Sequence, residues 1–480
     1  MPLKKYFRQG SILKDITLVA GGSAIAQGFT MLTMPVLSRI YSPDDFGILS
    51  IFISVVSILI PLSSLRYYLA IALPKTDRQA NALIILASII QITNLLILAL
   101  LFTFLGDSIL TLCTLQRLIP YKFLIPLAVL GAGIYDMLVQ YAIRKNLFKV
   151  IAKTKISQSL SAGMTKIGFG LLGLRPLGLL IGTVIGQTGG ITSVALSLYS
   201  QTGIPRVIKT DVKRVLLKYR NFPLFDTPSA VINTLGDQII PLLIFSFYGT
   251  QATGFFSISQ QLLVIPSVFI GNAVGQVFLQ RASVAKYQGN LNSLTLKTYQ
   301  LLLELGAFPT VIIALLAPQI FSVVLGAEWE EAGLYARCLI PLAMLSFAFA
   351  PISHSFNIQS KQKLALKLEV AYLSTKILFF LIGTLFFDPL ISIALFAASG
   401  GVLVFLRTYF ALRITHNTFY EICHILKYPL LFILIVSTTL PTVLYMNINV
   451  LFILLIVLIF CYIYLKRLVV LFKMYIVFFH

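Results

Sequence analysis

Long apolar runs, each broken by a short polar stretch, follow one another along the whole chain. Each run is 18 to 33 residues, long enough for a helix to cross about 30 Å of hydrocarbon and far longer than a strand needs. The pattern predicts fourteen helices, over 16–39, 44–72, 79–105, 118–143, 156–173, 176–200, 222–247, 251–281, 293–325, 331–357, 366–387, 389–413, 428–446 and 449–476. The first run, Ile16 to Leu37, carries polar residues throughout and does not read as a cleaved signal peptide. The second helix has a marked start. Ser42-Pro43-Asp44-Asp45 offers a capping serine, a proline at the first helical position and acids in the first turn. The seventh and eighth are joined by a tight turn around Tyr248-Gly249.

Short internal matches group these helices. Tyr41…Gly47-Ile-Leu-Ser50-Ile recurs as Tyr248…Gly254-Phe-Phe-Ser257-Ile, and LIPLAVL at 124–130 as LIPLAML at 339–345. Thr165-Lys166-Ile167 recurs as Thr375-Lys376-Ile377, and Gly189-Gly190 as Gly400-Gly401. Four matches in one order, offset by about 207 to 215 residues, indicate a duplicated six-helix unit. Six is even, so both copies insert the same way round. Their pseudo-axis then runs along the membrane normal, with a substrate site expected between the bundles. The expected organisation is an amphipathic N-terminus (1–15), an N-terminal lobe (16–200), a basic linker (201–221), a C-terminal lobe (222–413), and two accessory helices with a tail (414–480).

Composition agrees with an all-α polytopic membrane protein. Of 480 residues 58% are hydrophobic and 11% charged. The net charge of +21 lies in the loops. About 28 of the 37 basic residues fall on the side of the N-terminus, while roughly four lie opposite, beside acids such as Asp107, Glu328 and Asp388. This positive-inside pattern puts both termini in the cytoplasm, and the basic loops can hold anionic lipid headgroups. It leaves no reason for nucleic-acid binding. Four cysteines and four histidines show no metal spacing, and no nucleotide-binding or other cofactor motif occurs.

The candidate chemistry lies inside the helices. Asp226, Asn233 and Asp237 share one face of the seventh, since at 100° per residue positions 226 and 237 differ by only ~20°. Asn272, Gln276 and Gln280 repeat every four residues in the eighth. A carboxylate at mid-membrane costs at least ~2.5–3.5 kcal/mol, so such a face should look into a wet cavity or onto a partner helix. Arg66, Lys166, Lys376 and Arg407 add cations, and Asp136 and Glu304 further carboxylates. Lys166 and Lys376 occupy matching places in the repeat near mid-depth, though a structural pairing with Asp136 or Glu304 is the rival to a functional role. Arg66, Lys166, Asn233, Asp237, Asn272, Gln276, Lys376 and Arg407 are the candidate path. Asp136, Asp226, Asp237 and Glu304 are candidates for proton or ion coupling. Cations with carboxylates suit a hydrated chamber for an anionic headgroup such as a diphosphate, with hydroxyl-rich cargo beside it.

Residues 41–77, YSPDDFGILSIFISVVSILIPLSSLRYYLAIALPKTD, resemble the opening of the polysaccharide-biosynthesis flippases. These are O-antigen and related lipid-linked oligosaccharide translocases of the multidrug/oligosaccharidyl-lipid/polysaccharide exporter superfamily. YRNFPLFDTPSAVINTLGDQ (219–238), ATGFFSISQQLL (252–263), GNAVGQVFLQRAS (271–283) and WEEAGLYARCLIPLAML (329–345) are similar to further blocks of that family. The resemblance runs from about residue 12 to at least 415. It implies two six-helix lobes around a cationic cavity and alternating access, without cofactor. The implied cargo is an undecaprenyl-diphosphate-linked repeat unit, moved from the cytoplasmic to the periplasmic leaflet of a bacterial inner membrane. A polysaccharide polymerase and chain-length machinery are the implied protein partners. Small polar residues are usual in the family where Asp226 and Asp237 stand, so here the acids could serve proton coupling. Two other readings are weighed. One is a drug or small-cation antiporter of the same superfamily. The other is a membrane polymerase or ligase, which would need a large external loop with catalytic groups; every external loop here is short, and no nucleophile, acid–base pair or metal site is evident.

Overall fold

The computed structural model describes residues 9–202, 209–422 and 424–425. Within them all twelve helices expected before residue 414 are formed, and nine segments are long and apolar enough to cross a membrane. Phe148–Leu171 is 24 residues long but falls short of that apolarity, because it carries Lys149, Lys153, Lys155 and Lys166. Helices expected at 428–446 and 449–476, and the first eight residues of the amphipathic N-terminus, lie outside the described residues.

The chain divides into two compact units, Met1–Ser257 and Ile258–His480. In the first, Gln9–Ile40 packs along Phe148–Leu171, which packs in turn on Leu177–Thr188; Leu124–Arg144 lies against Asp77–Phe104 and Leu177–Thr188. In the second, Leu291–Leu325 packs on Glu330–Ile352, which packs on Pro389–Ile414, and that helix also holds Gln362–Phe386. The third, fourth, fifth and sixth helices thus pair as do the ninth to twelfth, as a duplication requires.

The repeat also meets itself, and does so inside the first unit. The second helix starts at Pro43 with Ser42 as its cap: Asp45 N–H donates to Ser42 Oγ (3.3 Å) and Ser42 N–H to Asp45 Oδ2 (2.9 Å). The eighth starts at Gly249, whose φ of +81° and ψ of −170° turn the chain as no Cβ-bearing residue readily would. A Cβ on Gly47 would run into the backbone carbonyl of Thr250, and one on Gly254 into that of Pro43. Residues 47 and 43, shifted by 207, become 254 and 250, so the two clashes are equivalent contacts exchanged by the repeat. Such reciprocity is what a two-fold operation produces. Ser257 Oγ donates to Ser50 Oγ at 2.6 Å across the same offset of 207, and Thr250 Oγ1 donates to Asp44. Glycine here permits close backbone approach, the basis of small-residue helix crossings in membranes.

The second helix is less regular than expected. Its α segment ends at Leu59, passes through a 3-10 turn at Ile60–Leu62, and breaks where Leu65 (φ +48°) and Arg66 (φ +56°) are left-handed. A second 3-10 stretch, Tyr67–Ala72, completes the span. The sixth helix is also divided, at Gly189-Gly190, and the seventh opens with a π turn at Phe222–Asp226. In the linker, Lys209–Lys218 forms a helix.

Candidate translocation path

The break in the second helix turns Arg66 toward the start of the seventh. Its Nε lies 2.5 Å from Asp226 Oδ2, with side chains 24% and 43% exposed. Two left-handed residues in succession cost energy, and such conformations persist where surrounding contacts hold them. Here the hold is visible on both sides. Asn94 Nδ2 donates to the carbonyls of Leu62 (2.8 Å) and Ser63 (3.2 Å), and the Tyr67 hydroxyl donates to Leu216 O (3.1 Å) in the linker helix. That helix is itself pinned by Arg78 Nε to Asp211 Oδ2 at 2.7 Å. The charges acting on Asp136 are Lys155, foremost, and Arg66, and Lys155 Nζ stands 5.0 Å from the Tyr135 ring centre. Arg66, Asp136, Lys155 and Asp226 therefore form one charge-balanced group in the first unit. Three of the four were expected from sequence. Lys155 was counted there only as a loop cation.

Lys166 stands apart from that group. Among the described residues it makes no ion pair, and its stem packs on Gly182, where a Cβ would collide with it. Its backbone carbonyl accepts from the Tyr41 hydroxyl at 2.7 Å, and burial pushes that phenol up to about 12, so it remains a neutral donor. The pairing of Lys166 with Asp136 is not formed. Asn233 and Asp237 lie on an accessible face of the seventh helix, while the next residue, Gln238, accepts from Ser54 at 2.9 Å.

The second unit gathers its cations around an aromatic ring. Lys376 Nζ is 4.0 Å and Arg407 Cζ 5.0 Å from the centre of Tyr372, with Phe396 and Phe349 against the one and the other at 5.3 and 4.7 Å. Arg407 is ion-paired with Glu369, one turn before Tyr372. A desolvated cation over an aromatic face gains about 2 kcal/mol, so the ring holds both cations in place in an apolar setting. Sequence reasoning found Lys376 and Arg407 but missed Glu369 and Tyr372. The signal was present: 369, 372 and 376 lie on one helical face at spacings of three and four. Glu304 accepts from Gln300 Nε2 at 3.0 Å and is buried. Gln276 is exposed, and the side chain of Asn272 lies outside the described ones.

Beside the break in the second helix lies a small pocket, lined by Ser63, Gln91 and Asn94 and by apolar residues of the third and fourth helices. Among the described residues no group of histidine, cysteine and acidic side chains could hold a metal ion.

The sequence matches the family described as "Polysaccharide biosynthesis protein" over residues 36–333. No curated protein matches it. Among solved structures the chain is similar to the lipid II flippase MurJ in an inward closed conformation, at TM-score 0.69 and 15% identity, covering 93% of this chain and 99% of that one. It is similar to an inward-facing multidrug resistance MATE family transporter of the MOP superfamily, at TM-score 0.62 and 14% identity over 81% and 94% of the two chains. A mutant of the Vibrio cholerae MATE transporter VcmN has TM-score 0.55 and 13% identity, over 84% and 96%. At these identities the likeness is one of fold.

Proposed function

Because the chain belongs to the polysaccharide biosynthesis protein family, a family of transporters rather than enzymes, we propose that it is a flippase for polyprenyl-diphosphate-linked oligosaccharide repeat units. It carries them from the cytoplasmic to the periplasmic leaflet of the bacterial inner membrane, for O-antigen or a similar surface polysaccharide. The observation that carries this reading is that the second helix is clasped at both ends. The glycine crossing with the eighth helix closes its periplasmic end, and the Arg66–Asp226 pair closes its cytoplasmic end. Alternating access needs two closures that open in turn, and these are made of parts that can part: a close backbone crossing with two side-chain hydrogen bonds, and a half-exposed ion pair.

The chemistry fits an anionic headgroup. When the cytoplasmic clasp opens, the Arg66 guanidinium exchanges the Asp226 carboxylate for a diphosphate, to which it can donate in the same fork. Lys166, which has no acidic partner among the described residues, is a second cation suited to such an anion. Arg407 and Lys376, held on Tyr372 in the second unit, are further cations suited to an anionic headgroup. An anion moving outward is helped by ~2.3 kcal/mol per charge per 100 mV of inside-negative potential. Asp237, aided by Asn233, Asp136 and Glu304, is then a candidate for resetting the empty carrier by proton uptake.

A disulfide tests the clasp. Ser50 and Ser257 have their oxygens 2.6 Å apart, so a cysteine at each can bridge the crossing. Oxidation should stop surface-polysaccharide export, and reduction should restore it. Undiminished export from fully cross-linked protein would show that the crossing never opens.

A further inference from the structure

We propose that the linker helix, Lys209–Lys218, is a docking surface for the anionic phospholipid headgroups of the leaflet on its side of the membrane. The helix has two unlike faces. Val215, which is buried, and the partly buried Val212 and Tyr219 pack inward, and the helix lies on Asp77–Phe104. Its one acid, Asp211, is also buried and is engaged there by Arg78 at 2.7 Å, with Arg214 at 4.0 Å. The other side is open: Lys213, Arg214, Leu216, Leu217 and Lys218 are exposed, and so is Arg220 just beyond the helix. At 100° per residue Leu216, Lys213 and Leu217 fall within ~100° of arc, with the cation between the two leucines. Lys213, Lys218 and Arg220 make no ion pair among the described residues.

Position, apolar surface and charge together select a lipid headgroup as the occupant. The helix is tied to the first turn of the span Asp77–Phe104, through Arg78 to Asp211 and through Lys218 Nζ to Gln79 Oε1 at 3.4 Å. Only residues 219–221 separate it from the next span, Phe222–Gly271. A helix held at the starts of two spans lies at the boundary of the bilayer. Leu217 is 59% and Leu216 39% exposed there, among cations, which is the pattern of a helix whose apolar side enters the headgroup layer. Tyr219 and Phe222, with ring centres 6.4 Å apart, add aromatic rings at the same level. Residues 209–220 carry five basic residues against one acid, and segments of that kind are drawn to anionic lipid. The docked face is also joined to the break in the second helix, because Leu216 O accepts from the Tyr67 hydroxyl at 3.1 Å. Headgroups bound here would steady the helix that holds Tyr67, next to Arg66.

Lipid binding here does not depend on what the protein carries, so its test stands apart from the transport assay. Native mass spectrometry of the purified full-length protein compares retention of phosphatidylglycerol with that of phosphatidylcholine of the same acyl chains. Wild type should retain the anionic lipid with a clear preference that falls as salt is raised. A cation near an anionic surface contributes about fivefold in affinity, so Lys213→Gln combined with Arg220→Gln should weaken that retention about 25-fold. Leu217→Ser should weaken it several-fold. These side chains are exposed, so the variants should fold, and an unchanged Tm in detergent without lipid verifies it. Lys361→Gln combined with Lys363→Gln removes the same charge from exposed positions of the second unit and should change retention little. An equal loss in that control would make the effect one of net charge and overturn the proposal. So would the absence of any preference for phosphatidylglycerol in wild type, or its displacement by inorganic phosphate alone.

Discussion

The reciprocal glycine crossing gives a prediction with an internal control. In Gly254→Ala the new methyl collides with the carbonyl of Pro43, and in Gly47→Ala with that of Thr250, whose Cα would be only 3.0 Å away. Backbone cannot swing aside like a side chain, so the two helices must separate by more than an ångström. Overpacking of this kind costs about 1–3 kcal/mol, and backbone obstruction puts it near the top, at ~2–3 for each variant. One separation relieves both clashes. The double variant should therefore cost ~3 kcal/mol instead of the ~5 expected by addition, a coupling of about 2 kcal/mol. If the crossing is the periplasmic closure, part of that cost appears as a shift toward the open state. About 2 kcal/mol there corresponds to a population ratio changed roughly 30-fold. Labelling a cysteine at Ser50 with a membrane-impermeant thiol reagent reads this out. The label should enter each single variant at least tenfold faster than wild type, and the double variant little faster than the singles. Strict additivity, or labelling at the wild-type rate, would refute the reciprocal contact as drawn.

Other consequences can be checked separately. Ser42→Ala removes one side of the capping box and should lower stability by about 1 kcal/mol, measured as a lower Tm, while Ser42→Asn should restore most of it. Glu369→Gln leaves Arg407 on its aromatic ring without a counter-charge; we expect normal protein levels and weaker or altered cargo transport, whereas Tyr372→Leu should disturb both Arg407 and Lys376. Lys166→Met keeps the bulk that packs on Gly182 and should leave insertion intact while cutting surface polysaccharide several-fold. Wild-type polysaccharide at normal protein levels would reduce Lys166 to a packing residue.

The helices were legible because a membrane span needs about 20 apolar residues and the loops carry the charge. The capping box at Ser42 was legible because its hydrogen bonds are local. The duplication could be seen in four weak matches, and one of them, which carries Gly47/Gly254 and Ser50/Ser257, proves to be the contact itself. The break at Leu65-Arg66 was not visible: LSSLRYYLA contains no glycine or proline, and its left-handed residues are held by Asn94 and Leu216, remote in sequence. Lone ionisable residues stood out against apolar sequence, which is how Arg66, Asp136, Asp226, Lys376 and Arg407 were found. Their partners were harder. Asp136 feels the charge of Lys155 and forms no ion pair with Lys166, and Arg407 meets Glu369, because helix rotation and tilt decide which charges face one another.

The central claim is that the cargo is a lipid-linked oligosaccharide, and one reconstitution addresses it. Purified protein in proteoliposomes is given a polyprenyl-diphosphate oligosaccharide in one leaflet, with and without an imposed pH gradient, and ethidium in parallel. The account predicts flipping of the lipid-linked sugar, impaired at least tenfold in Arg66→Ala. It also predicts that Asp237→Asn slows turnover and abolishes any dependence on the gradient. Export of ethidium by a protein that leaves the lipid-linked sugar unmoved would contradict it and make this chain a cation antiporter.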